Sequence, residues 1–178
     1  MIEVLMETLL SLKNVENLLI VEEDPVLSAL VVVPCGMRKI WDVNPCAGPT
    51  LARNAYVGAP FKVNREYAER FADRWVVLSA KYGFIDPDFV IPENYDVTFK
   101  RPETQPVSVS KLRRQIVEKG LNNFSKVVVL GGKDYVAVTR RAFEGFKVTV
   151  IAPTLGLPMG KAMGKVRRAI QEGDPFNC

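Results

Sequence analysis

Four short apolar runs constrain this chain most: Ala29–Pro34 (Ala-Leu-Val-Val-Val-Pro), Trp75–Ala80, Lys126–Gly131 and Lys147–Ile151. The first is continuously apolar, the pattern of a strand covered on both faces of a parallel sheet. Between the runs lie segments with helical spacing. Asn64 is expected to cap a helix carrying Tyr67, Ala68 and Phe71, and Ser108 or Ser110 to open a basic helix that ends near Gly120. Another helix runs from about Lys133 to Phe143, and a last one from Lys161 to Glu172. The alternation predicts an α/β fold: a central four-stranded parallel sheet covered by helices on both faces, in three layers, α/β/α. Residues 1–22 add an amphipathic helix, with Ile2, Leu5, Met6, Leu9 and Leu10 at mostly helical spacing, that packs on the core.

A length of 178 residues and a hydrophobic content of 48% suit a single domain, 1–178, whose α/β core spans 29–172. No apolar run approaches the ~20 residues that cross a bilayer, and the N-terminus lacks the pattern of a secretory signal. A cytoplasmic protein with no membrane partner is expected. Cys35, Cys46 and Cys178 form no CxxC pair and read as reduced thiols. The chain contains no histidine, which removes the usual neutral-pH proton shuttle along with histidine-ligated metals. Chemistry is left to carboxylates, lysines, tyrosines and backbone dipoles, with no metal and no cofactor expected. The net charge of +4 favours a polyanionic partner where the basic residues cluster.

Ligands of open parallel sheets sit outside the carboxyl ends of the strands, so the segments after Pro34, Ala80, Leu130 and Ile151 are expected to converge. After the first strand, Gly36 permits close approach to a ligand, and Arg38 and Lys39 offer donors suited to phosphate. Neither a Walker loop nor a dinucleotide fingerprint follows. The second strand leads into Ser79–Phe99, a polar, aromatic and Pro-rich stretch with Asp86, Asp88, Glu93 and Asp96. A connection of that length is expected to form one wall of a site. Gly131 and Gly132 precede a helix whose free amides can hold a phosphate or polarise a carbonyl. After the fourth strand, Leu155, Leu157 and Met159 alternate with Gly156 and Pro158 and are followed by Lys161, Lys165 and Arg168. Apolar wedges beside phosphate-seeking cations suit a protein that pries into a duplex.

These segments carry a resemblance. Val33-Pro34-Cys35-Gly36-Met37-Arg38-Lys39, Leu78-Ser79-Ala80-Lys81-Tyr82-Gly83-Phe84, Pro92-Glu93-Asn94-Tyr95-Asp96, Val129-Leu130-Gly131-Gly132 and Ala152–Gly160 resemble a small-domain family near the uracil-DNA glycosylase-like superfamily and the YaaA-type peroxide-stress proteins. The resemblance covers about residues 29 to 172. It implies a uracil-DNA glycosylase-like fold and a DNA glycosylase activity. The closest functional analogue it suggests is the phage-defence glycosylase that removes glucosylated hydroxymethylcytosine.

Cutting an N-glycosidic bond requires the nucleotide to leave the stack and enter a pocket. Tyr56, Tyr82 and Tyr95 are the stacking candidates, and Asn44 and Asn54 are candidates for reading the base edge. Asp42 and Asp96 are expected to stabilise the oxocarbenium-like sugar and orient water. Lys81, Lys39 or the amides near Gly131 and Gly132 oppose charge on the departing base. Cys35, Gly36 and Arg38 complete the substrate-binding set, and Leu155, Gly156, Leu157, Met159, Lys161, Lys165 and Arg168 are the DNA-binding set. The expected partner is DNA, double-stranded with modified bases. Two other readings use the same residues: a non-enzymatic DNA-binding stress-response protein, and an enzyme or binding module for free nucleotides or nucleosides.

Overall fold

The computed structural model describes residues 28–176, so the helix expected within 1–22 and Cys178 lie outside the described residues. In chain order the elements are β1 (Ala29–Pro34), β2 (Thr50–Leu51), α1 (Ala52–Ala55), α2 (Ala59–Phe71), β3 (Arg74–Ser79), β4 (Gly83–Ile85) and β5 (Val90–Ile91). They continue with α3 (Val109–Glu118), β6 (Lys126–Val129), α4 (Lys133–Phe143), β7 (Thr149–Ile151) and α5 (Met159–Glu172).

The main sheet has five strands in the order β4-β3-β1-β6-β7. The four expected strands pair in parallel, β1 with β3 and β6, and β6 with β7. The fifth, β4, runs antiparallel to β3, so the sheet is mixed rather than the purely parallel four-stranded one expected. The reason lies at Gly83, whose φ of +83° is in the left-handed region. A glycine there lets the chain reverse within a few residues of Ser79 and lay Gly83–Ile85 back on β3. A separate two-stranded ladder joins Thr50–Leu51 to Val90–Ile91, antiparallel, and fastens the loop after β1 to the long segment after β4.

Alternation along the strands divides the core in two. Val31, Val33, Val77, Val128 and Leu130 join one cluster with Phe61, Tyr67 and Ala68 of α2 and Val166 and Ile170 of α5. Leu30, Val32, Val76, Leu78, Val127 and Val129 join the other with Leu112 and Ile116 of α3 and Val136 and Phe143 of α4. Leu30 to Val33 are all 1% exposed or less, which is why β1 reads as continuously apolar.

Helix boundaries follow the local chemistry. The side chain of Ser108 accepts from the Lys111 amide, as its place before the basic helix predicts. α2 begins at Ala59, with Pro60 in its first turn, five residues before the Asn64 cap expected from sequence. Asn64 instead sits within the helix and donates through Nδ2 to the Leu130 carbonyl at 2.8 Å, tying α2 to the end of β6.

One side chain closes the sheet's β4 edge. Gln115 of α3 accepts from the Phe84 amide and donates to the Tyr82 carbonyl, both at 2.9 Å, straddling Gly83. A Cβ on residue 83 would lie 2.1 Å from the Gln115 Oε1. Nearby, Asp86 receives Arg74 of β3 at 2.8 Å and Lys119, just past α3, at 2.6 Å. Partial burial pushes the Asp86 carboxyl up, but the hydrogen bonds from Arg74 and Lys119 outweigh it and the net shift is down.

Asp86 therefore contributes stability above the ordinary carboxylate range, and that contribution is lost as pH falls through its lowered pKa. The side chains are 29–39% exposed, so we expect Asp86→Asn to cost only about 1 kcal/mol at pH 7, read by urea unfolding. The gap between variant and parent should narrow below about pH 4. A gap that widened in acid would contradict the assignment. At the other end of the sheet, a Cβ on Gly131 would meet the Pro34 Cγ at 2.5 Å, whereas one on Gly132 would meet nothing within 4 Å. Gly131→Ala is expected to destabilise by about 1–3 kcal/mol and Gly132→Ala by less. The reverse order in the same unfolding assay would show that β1 and β6 do not depend on that close approach.

Candidate functional site

β1 sends its connection toward β3 on one side and lies against β6 on the other, so the chain parts beyond the carboxyl ends of β1 and β6. A crevice at such a switch point is where an open α/β sheet binds its ligand. A cavity of about 580 Å³ lies there. Pro34, Cys35 and Gly36 leave β1 along one wall, and Leu130 to Tyr135 leave β6 and enter α4 along another. Pro60, Phe61 and Asn64 of α2 close a side, and Thr154, Leu157, Met159, Ala162 and Met163 come from the loop after β7 and from α5. Lys100 arrives from the end of the long segment after β5. The missing side chain of Gly131 lets the two strand ends meet.

The lining is largely apolar with a few convergent polar groups, as ligand cavities usually are. Gly132 is the N-cap of α4 and supplies no capping side chain, and Asp134 stands in the first turn. Asn64 holds its own Nδ2 on Leu130, and its Oδ1 has no hydrogen-bond partner among the described residues. The Cys35 thiol and the Tyr135 hydroxyl are 3.1 Å apart. Burial first, then the neighbouring Cys35, raises the Tyr135 pKa, so its phenol stays protonated and can donate a hydrogen bond.

A second hollow, of about 440 Å³, is lined by Met37, Lys39, Asp42, Asn94, Tyr95 and Asp96. No residue lines both hollows, but the segment after β1 contributes Cys35 and Gly36 to the first and Met37 and Lys39 to the second. Asp42 ends a short 3-10 turn, accepting from the Lys39 amide at 2.7 Å and from Asn94 at 3.3 Å. The backbone hydrogen bond is the main reason its pKa is lowered. Asp96 is lowered by Arg101, whose Nη2 is 2.8 Å from both carboxylate oxygens. Tyr95 lies between Tyr56 and Ser79, its hydroxyl 2.5 Å from one hydroxyl and 2.8 Å from the other. Burial raises the pKa of both phenols.

The structure thus sorts the residues singled out in sequence. Cys35, Gly36, Gly131, Gly132, Leu157 and Met159 line the cavity. Asp42 and Asp96 share the second hollow, with Lys81 over the Tyr95 ring, and none of the three lines the cavity. Tyr56 and Tyr95 are 2% and 9% exposed. Their rings serve the core and their hydroxyls are spent on each other, so neither offers a face for a base to stack on. The Tyr82 ring is half-buried against Phe89 and Tyr95, and its hydroxyl is enclosed without a partner among the described residues. Asn44 accepts from the Cys46 amide and Asn54 from Arg65, both outside the two hollows. Arg38 is exposed, with its carbonyl taking the Val57 amide. Leu155, Lys161 and Arg168 face solvent, Gly156 adopts φ +79°, and Lys165 donates to the Pro153 carbonyl. Of the carboxylates in the long segment, Asp86 and Asp88 are committed to Arg74, Lys119 and Arg53.

Sequence reasoning did not place Asn64, Lys100, Asp134 or Tyr135 in the site. An acidic residue in the first turn after paired glycines was a usable signal for Asp134. Asn64 imitates a helix cap, and Lys100 reads in sequence only as one of several basic residues that could extend a cationic surface.

Residues 30–168 match the model of a family described as a family of unknown function, DUF6884. The chain is 45% identical over 112 residues to the uncharacterized protein YfjM of Bacillus subtilis (strain 168), a match covering 63% of this chain and 75% of that one. Among solved structures, AF0587, a protein of unknown function, matches 80% of this chain at 17% identity and a TM-score of 0.40, and the match spans 44% of the length of AF0587. With the family match extending from β1 into α5, the chain belongs to the DUF6884 family.

Proposed function

We propose that the protein is a DNA glycosylase with a three-layer, uracil-DNA glycosylase-like core, which hydrolyses the N-glycosidic bond of a modified base in duplex DNA. One observation carries the reading. Asp134 and the first turn of α4, whose N-cap glycine supplies no capping side chain, line a largely apolar cavity at the switch point of the sheet. An everted nucleotide needs such a compartment, and the bond to be broken needs charge of both signs near it.

In this reading Phe61, Leu157 and Met163 enclose the base, and Asn64 Oδ1 and the Tyr135 hydroxyl address its polar edge. As the bond lengthens, the Asp134 carboxylate stabilises the positive charge growing on the sugar and orients the attacking water. The electron pair of the bond departs with the base. Lys100 and the α4 amides oppose that negative charge, each well-placed donor contributing about 3 kcal/mol to the barrier reduction. This assignment moves the catalytic carboxylate from Asp42 and Asp96 to Asp134, because only Asp134 lines the cavity. The exposed Leu155, Lys161 and Arg168 are then left for the duplex around the everted nucleotide. Glucosylated hydroxymethylcytosine of phage DNA is the first modified base to test.

Incubation with DNAs bearing different modified bases, followed by mass spectrometry of liberated bases, is expected to reveal one that is released. Asp134→Asn should slow that release by at least about 100-fold without loss of the folded state, while Asn44→Ala should leave it unchanged. Unimpaired turnover in Asp134→Asn would remove the mechanism. Salt-sensitive DNA binding with no release from any substrate would favour a non-enzymatic DNA-binding protein. Binding of nucleosides without binding of DNA would favour the free-nucleotide reading.

A further inference from the structure

The loop after β7 and the first turn of α5 form a corner of the cavity whose polar groups the fold leaves unused. Thr154 lines the cavity and is only 6% exposed, yet its hydroxyl makes no hydrogen bond among the described residues. That hydroxyl is not enclosed either, since the buried side-chain atoms without a partner are the Arg53 Nε and the Tyr82 hydroxyl, so its open side is the cavity. Just beyond it, α5 begins at Met159 behind Pro158, an N-cap that supplies no capping side chain. The Ala162 amide makes the first backbone bond of the helix, to the Pro158 carbonyl, and the Met159, Gly160 and Lys161 amides have no partner among the described residues. Met159 and Ala162 line the same cavity as Thr154. Charge separates this corner from the one at α4. The positive end of α4 meets Asp134 in its own first turn, whereas the first turn of α5 holds no acidic residue. Lys100 and Lys133 also line the cavity, neither belongs to an ion pair among the described residues, and Asp134 is the one carboxylate set against them there.

We propose that this corner is the phosphate subsite of the cavity, where the Thr154 hydroxyl and the first-turn amides of α5 donate to the phosphate oxygens of the nucleotide bound there. The proposal rests on the DNA reading for the source of the phosphate alone, because a free nucleotide brings the same group. A helix start without a side-chain cap suits a tetrahedral anion, whose oxygens accept from several amides while its charge meets the positive end of the dipole. A hydroxyl kept from water without a partner is costly until a ligand satisfies it, and the phosphate oxygens are charged acceptors. A neutral base edge leaves most of these donors unmet. At α4, by contrast, a phosphate would face the Asp134 carboxylate. Access is open at α5, since even a Cβ on Gly160 would meet nothing within 4 Å. The two ends of the cavity thereby divide the nucleotide, with Thr154 and α5 holding its phosphate and Asp134 left to its sugar.

The test titrates inorganic phosphate into the full chain and follows the amide resonances. Those of Thr154, Gly160 and Lys161 should shift together in the parent. Thr154→Val removes the hydroxyl at nearly constant shape and should weaken the phosphate response at least about tenfold. Gly160→Asp places a carboxylate in the first turn of α5, which favours the helix and repels the anion, so it should raise the urea midpoint while abolishing the response. That opposite movement is one a merely structural role would not give, and it keeps the test open if Thr154→Val does not fold. Two further arms separate the sources of the phosphate. In a duplex carrying one glucosylated hydroxymethylcytosine, a neutral methylphosphonate next to that nucleotide should weaken binding to the parent but not to either variant. Nucleoside 5′-monophosphates that bind more tightly than their nucleosides, with no binding of DNA, would retain the subsite and sink the DNA reading. Silent Thr154, Gly160 and Lys161 resonances, or parental phosphate affinity in both variants, would overturn the subsite, whatever the fate of the glycosylase assignment.

Discussion

The pairing of β1 with two parallel neighbours governs the rest of this molecule. Because β3 and β6 both hydrogen-bond to it, neither edge of β1 is open, and its side chains are buried on both faces. The chain must then leave in one direction after β1 and return on the other side after β3. A gap beyond the strand ends is the geometric result, and that gap becomes a cavity because helices α2, α4 and α5 border it. Gly131 sets how near its two main walls come, since Pro34 occupies the space a side chain would need.

The parts of this arrangement that were legible in the sequence are those fixed by burial and by local caps. Runs such as Leu30–Val33 and Val127–Val129 admit few other readings, and Ser108 and the paired glycines mark helix starts from within a few residues. β4 was not legible because three residues, Gly83 to Ile85, carry too little pattern to separate a returning strand from a loop. β2 and β5, two residues each, exist only through each other. The start of α2 was misplaced because Asn64 has the chemistry of a cap but uses it on a carbonyl 66 residues away.

The candidate site was readable to a different degree. The rule that ligands gather at strand ends identified Cys35, Gly36, Gly131, Gly132, Leu157 and Met159 before any geometry was known. Aromatic residues in polar segments were the weak point. Nothing local distinguishes a tyrosine that waits for a base from one whose ring completes a core and whose hydroxyl meets another hydroxyl, as in Tyr56 and Tyr95. Carboxylates posed the same difficulty: Asp86 and Asp88 are spoken for by Arg74 and Arg53, distant enough in sequence to leave no trace in the pattern, while Asp96 is taken by Arg101 only five residues on.

The amide of Gln115 has a consequence for how copies of this protein meet. A primary amide holding the Phe84 N–H of β4 and the Tyr82 C=O just before it reproduces what a single residue of a neighbouring strand would offer. Those two backbone groups on the outer rim of the sheet are thereby already satisfied from within the same chain. An incoming extended segment would have to displace that side chain before it could add to the rim, so the molecule carries its own guard against cross-strand polymerisation at its antiparallel margin.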